Sequence, residues 1–220
     1  MLLQDRPLRT RPAAVLLAAC AGLSVLAIAH HPQVHAKTPH AVLTGVAHLA
    51  AMDRFIHTVL IVFVLLMLYA FCVYARAVRG PLSLGKWALA LFAIGCSSVI
   101  GAASIDGYFI SAFGERYALL AANLQTAAIP IMTAAAIAIQ ILTKFGFFAM
   151  AGAAVAWAAE LPGSSKERTA AGIAAGCAAV SEFVLVAVSG TLQPHSLAVI
   201  ALLQAVWCAA FAWILWSAQE

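Results

Sequence analysis

Between Pro12 and Ala29 the chain carries no charged residue, and apolar stretches of similar length recur at 55–76, 87–108, 169–190 and 196–217. A helix needs about 20 apolar residues to cross the hydrocarbon core of a bilayer, so these stretches read as transmembrane helices. The whole chain agrees with them. Of its 220 residues 65% are hydrophobic and 9% charged, against roughly half and about a quarter in an average soluble domain. Mean hydropathy is +1.00, and a water-soluble shell cannot be built from such a composition. An ordinary soluble enzyme, a disordered chain and a nucleic-acid module are thereby excluded. The class expected is all-α: a polytopic transmembrane helix bundle occupying 1–220 as a single integral membrane domain, with the lipid bilayer as its first partner.

The N-terminal run follows Arg6, Arg9 and Arg11 and ends Ala27-Ile28-Ala29. That pattern also fits a cleaved signal peptide; the reading adopted is a retained first span. The stretch 117–161 is too long for one straight span and barely long enough for two. The positive-inside rule arbitrates. With a cytoplasmic N-terminus and a single crossing, Arg6, Arg9, Arg11, Arg76, Arg79, Lys86, Lys166 and Arg168 lie inside. Lys37, Arg54 and Arg116 lie outside. A double crossing nearly abolishes that bias, so six spans are expected and seven is the alternative. In the six-span reading an outer-face helix occupies about 117–128, Pro130 marks a break, and span four covers about 131–160. The net charge of +4 then reports topology rather than an anion-binding surface. The alanine-rich spans and the charge bias together suggest a bacterial inner membrane, with the histidine-rich loop outside.

Ionisable residues within spans are costly and usually face the protein interior. Asp106, Lys144 and Glu182 are of this kind, with Gln140 and Gln204 as uncharged companions. Val99, Ala102, Ala103 and Asp106 share one helical stripe. Thr133, Ala136, Gln140, Thr143, Lys144 and Phe147 share another, and Ala175, Ala178, Ala179, Glu182, Val186 and Ser189 a third. Side chains lean toward the helix N-terminus, which brings Lys144 and Glu182 toward one depth. A Lys144–Glu182 or Lys144–Asp106 pair is therefore expected, and Asp106, Gln140, Lys144 and Glu182 form a candidate ligand or ion pocket. A buried ion pair can instead fix helix register alone.

Six of the seven histidines fall between His30 and His57, and the seventh, His195, lies on the same side in this topology. Imidazole suits zinc, copper, iron and nickel. Asp53 and His57 are four apart at a helix start and share a face, so the carboxylate can fix the histidine tautomer. His31, Asp53, His57 and His195 are the candidate metal ligands. His31 and His35 have i, i+4 spacing, but Pro32 between them opposes a regular helix. A transition metal is the cofactor considered; haem, through His57 and His195, is less favoured because neither histidine lies deep in its span. The five cysteines form no CxxC and read as small core residues. Gly172 and Gly176 make a GxxxG, read as close helix packing, and Trp207, Trp213 and Trp216 approach the inner end of span six. No P-loop, GxSxG or HExxH is present.

Three functions follow from this pattern. The leading one is binding or transport of a small polar solute, proton or cation in an outward-facing His/carboxylate/Lys pocket. The second is an outer-face metal-dependent or haem redox enzyme. The third is an accessory subunit that docks a membrane-protein partner or a second copy through its apolar helices. Catalytic residues are not assigned.

Overall fold

The computed structural model describes residues 10–32, 34, 36–78, 84–161 and 165–218. Among them every regular element is helical, and six helices are long and apolar enough to cross a membrane. The helices are α1 (Thr10–Ala29), α2 (Pro39–Ala77), α3 (Gly85–Ser104), α4 (Ser111–Tyr117), α5 (Ala122–Ala159), α6 (Lys166–Val188) and α7 (Pro194–Ser217). A π-helical turn, Ile105–Ile110, joins α3 to α4 without interrupting the rod, so 85–117 is one span.

Local chemistry sets the starts. Thr38 caps α2 by accepting from the Ala41 amide at 3.3 Å, with Pro39 in the first turn; proline has the right φ there and no N–H to lose. Ser165 caps α6 by accepting from Arg168 N at 3.2 Å, and Glu167 adds negative charge to that first turn. Glu160, at the end of α5, accepts from the amides of Leu84 and Gly85 and so caps α3 from a different helix.

The six spans close into a ring in the order α1, α2, α3, α5, α6, α7 and back to α1. Lipid tails offer helices no hydrophobic reason to associate, so close packing must hold them. The tightest crossing is α3 on α5. A Cβ on Gly95 would sit 2.8 Å from Gly146 O, and a Cβ on Gly146 would sit 3.0 Å from Gly95 O. The two glycines let the backbones touch. The GxxxG glycine Gly172 lies against Leu161 and Ala158 O, in line with the close packing expected of it.

One half of the ring is filled by aromatic side chains. Phe71 stacks on Trp157 with ring centres 4.6 Å apart. Tyr74, Phe92, Trp207 and Phe211 surround that stack, all essentially buried. Trp207 is thus core, while Trp213 and Trp216 are exposed. The other half of the ring, toward the histidines, holds a cavity.

Two expectations need correction. The stretch 117–128 is not a separate outer-face helix. Tyr117 ends α4, Ala121 is extended, and α5 begins at Ala122, with the turn held by Gln125 Nε2 donating to Ala118 O at 2.9 Å. Nor does Pro130 break the chain; it lies inside α5. Its ring faces outward, and only the Thr126 carbonyl loses its usual donor, a loss that a long helix with a packed partner tolerates.

Candidate metal centre

α2 has 39 residues, about 58 Å at 1.5 Å per residue, roughly twice the hydrocarbon thickness. Its N-terminal half therefore overhangs at the histidine end and packs on α4. Arg54 pairs there with Glu115, and Gly114 lies against Val46. At the base of this overhang stands His57, 4% exposed.

His57 sits where it does because of Gly107. A Cβ on that glycine would lie 2.4 Å from His57 Cβ and 2.6 Å from its Cγ. The π-turn supplies the rest. Its wider coil brings Asp106 and Gly107 round to α2 together, as such turns often do at functional sites. Beyond the turn, Ser111 donates to Asp53 Oδ2 at 3.0 Å. His31, from the segment after α1, completes the group with its ring perpendicular to that of His57 and centres 4.9 Å apart.

The hydrogen bonds fix which ring nitrogens are free. A carbonyl oxygen can only accept. His57 Nδ1 must therefore donate to Asp53 O at 2.9 Å, with Asp53 Oδ1 3.2 Å away. By the same logic His31 Nδ1 donates to Pro32 O at 2.9 Å. In the neutral rings both Nε2 atoms are then acceptors. They face each other at 3.3 Å, and Asp106 Oδ2 lies 3.3 Å from His57 Nε2 and 3.8 Å from His31 Nε2. Three acceptors converge on one point, which is the arrangement a cation satisfies. A tetrahedral site with bonds of 2.0–2.1 Å has ligand-to-ligand edges of about 3.3–3.4 Å, which matches the two separations of 3.3 Å and is shorter than the 3.8 Å between Asp106 and His31.

The carboxylates differ in position. His31, His57 and Asp106 line the cavity and Asp53 does not. Asp53 stands behind His57, on its Nδ1 side, where it fixes the tautomer; its Oδ1 is also 3.6 Å from His31 Nε2. One ligand atom each from His31, Asp53 and His57 lies within 4.8 Å of the others.

The cavity below has a volume of about 490 Å³. Leu60, Ile61, Val64, Ile100 and Phe147 supply apolar wall, and Met67, Met150 and Gln204 lie at its inner end.

The remaining candidates are arranged differently from the expectation. Lys144 pairs with neither Glu182 nor Asp106. Its Nζ donates to Ser189 O and Gly190 O, both at 2.6 Å. Ser189 caps the C-terminus of α6 and Gly190 follows it, so both carbonyls lie just past the helical ladder at the negative end of its dipole and satisfy the ammonium. Glu182 lies seven residues earlier on α6, about 10 Å deeper, and accepts from Trp207 Nε1 at 2.7 Å in full burial. Gln140 does line the cavity, but its carboxamide both donates to Leu192 O and accepts from Leu192 N, at 3.2 and 2.8 Å. His195 is exposed and outside the cluster; His57 Nε2 faces His31, so the His57–His195 pair considered for haem does not form. His35 lies outside the described residues. Gly107 and Ser111 escaped the sequence reading, although a glycine directly after the one acidic residue of an apolar span was a usable signal.

No family model matches the chain, and neither the curated proteins nor the solved structures contain a match to it.

Proposed function

We propose that this integral membrane protein is a metal-dependent membrane enzyme, with His31, His57 and Asp106 as ligands and Asp53 as the carboxylate that orients His57. The observation that carries this reading is the convergence at 3.3–3.8 Å of a carboxylate oxygen and two ring nitrogens, both nitrogens being acceptors in neutral rings whose Nδ1 donates to a backbone carbonyl. Two imidazoles and one carboxylate suit Zn²⁺ or Fe²⁺. All three ligands border the cavity, so a fourth position opens toward it, as in catalytic rather than structural sites. A metal held there would polarise an oxygen bound at that position. The protein's own part is to hold both rings by Nδ1, keep Asp106 on the π-turn, and shape a mostly apolar cavity beneath.

Charge supports placing the histidine end outside a bacterial inner membrane, with the N-terminus cytoplasmic. Arg76, Lys86, Lys166 and Arg168 all lie toward the opposite end of the bundle.

The test is metal analysis of the purified full chain in mild detergent. About one transition-metal ion per chain is expected, absent in His57→Ala and sharply reduced in Asp106→Asn, with all three proteins monodisperse. A metal-free protein after growth with zinc and iron, unable to take up either, overturns the reading.

A transport reading is favoured by one observation, the depth of the cavity from His57 to Gln204. In that case the cluster holds protons, and Asp106→Asn abolishes uptake without any effect on metal content.

A further inference from the structure

The cavity is long and chemically graded. α3 and α5 cross with Gly95 opposite Gly146, which sets a common depth scale. From Asp106 down to the level of Gly95 and Met150 is about 16 Å along α3. The upper end carries both imidazoles and a carboxylate. Below it the wall is mostly aliphatic and aromatic.

The polar groups along that wall fall into two kinds. Ser24 donates to its own helix at Cys20 O, and Gln140 is fully engaged with Leu192. Gln193, near the histidine end, donates to Thr191 Oγ1 at 3.1 Å. Thr143 and Gln204 are under-used. Thr143, unlike Thr58, Thr126, Thr133 and Thr169, does not turn its hydroxyl back to the carbonyl four residues earlier, and it has no hydrogen bond among the described residues. Gln204, at the floor, makes one weak contact, its Nε2 lying 3.9 Å from Met150 Sδ. Small polar solutes do not need a 16 Å apolar sleeve, and a purely apolar guest does not need an imidazole–carboxylate head.

We infer that the cavity takes a single-chain amphiphile. Its oxygen-bearing head reaches the His31–His57–Asp106 end, and its apolar chain runs inward past Val64 and Phe147 toward Met150. Methionines at the inner end suit a flexible guest, since the thioether chain adapts to irregular contacts. Thr143 and Gln204 give a hydroxyl or carbonyl on that chain a partner. The inference rests on the metal reading for its head-group contact and on the cavity alone for its tail.

The probes are acetohydroxamic and octanohydroxamic acid, which share a metal-binding head and differ in tail. Each is titrated into the full chain loaded with Co²⁺, whose visible spectrum reports ligation. The octanoyl compound is expected to bind at least about tenfold tighter, since several methylenes enter apolar surroundings. Leu60→Trp fills the sleeve below His57 and is expected to bring its affinity down to that of the acetyl compound; Leu197→Trp serves if the first variant does not fold. Equal affinities in the wild-type chain, with a His57-dependent cobalt spectrum, overturn the amphiphile and leave the metal centre standing. A chain with no His57-dependent cobalt spectrum overturns the metal centre instead. The tail is then tested with a mid-chain diazirine derivative of decanol. Photolabelling at Phe147 or Met150 that Leu60→Trp blocks supports the amphiphile, and labelling confined to lipid-facing residues overturns it.

Discussion

His57 shows how much one side chain depends on its neighbours. Its Nδ1 is held by the backbone and side chain of Asp53, its ring lies on Gly107, and its Nε2 is presented to His31 and Asp106. Asp53→Asn preserves the shape and the acceptor but removes the negative charge that makes the imidazole a better donor to metal. Loss of such a partner typically costs 10–100-fold in metal affinity, and a loss of about that size is expected in competition with a chromophoric chelator. An unchanged affinity would show that the carboxylate serves only the α2–α4 contact through Ser111. Gly107→Ala places a methyl where His57 already stands, so the ring must move. Metal content well below that of the wild type is expected, in a protein that still elutes as a folded species.

At the scale of elements, two helix ends and one turn build the site. The loop 189–193 closes the histidine end of the cavity because α5 holds it by side chains. Lys144 takes the carbonyls of Ser189 and Gly190, and Gln140 pairs with both backbone groups of Leu192. Lys144→Met removes the donor from the half-buried Ser189 carbonyl and from the exposed Gly190 carbonyl, at a cost of about 1 kcal/mol. A lower thermal midpoint with metal content retained is the expected result. Loss of the metal along with the stability would return Lys144 to the site itself. The π-turn is the second device. It turns Asp106 and Gly107 onto α2 without ending the rod, and the short α4 beyond it pins the overhang of α2 through Glu115 and Ser111.

At the largest scale the described residues form a ring of six spans, stoppered on one side by aromatic rings and open to a cavity on the other. The orientation proposed for it rests on the distribution of charge. With the histidine end outside, a cysteine introduced at His40, an exposed position on the α2 overhang, reacts with a membrane-impermeant maleimide added to intact cells, in a background lacking the five native cysteines. A cysteine at Arg76, toward the other end, reacts only after the membrane is opened. The reverse pattern would invert the topology and place the metal centre on the cytoplasmic side.

Hydropathy determined the fold class, because lipid permits few structures and a 20-residue apolar run has one efficient way to satisfy its backbone; the charge bias between loops then favoured six spans over seven. Helical period also identified inward faces on α3 and α6, but on α5 only the inner part of the expected stripe, since Thr133 and Ala136 are exposed while Gln140, Thr143 and Phe147 line the cavity. Val99, Ala102, Ala103 and Asp106 share a stripe in the sequence and all four line the cavity; the Asp53–His57 pairing was legible from i, i+4 spacing. What the tertiary structure decided was which polar groups meet. Lys144 and Glu182 look like partners from their lean, yet the nearest uncompensated charge to Lys144 is the end of α6, a backbone feature that no residue letter displays. Asp106 reaches His57 only through a π-turn, and His31 arrives from an irregular segment. Spacing along one helix is a local property, whereas the convergence of His31, His57 and Asp106 depends on how α2, the π-turn and the segment after α1 meet in space.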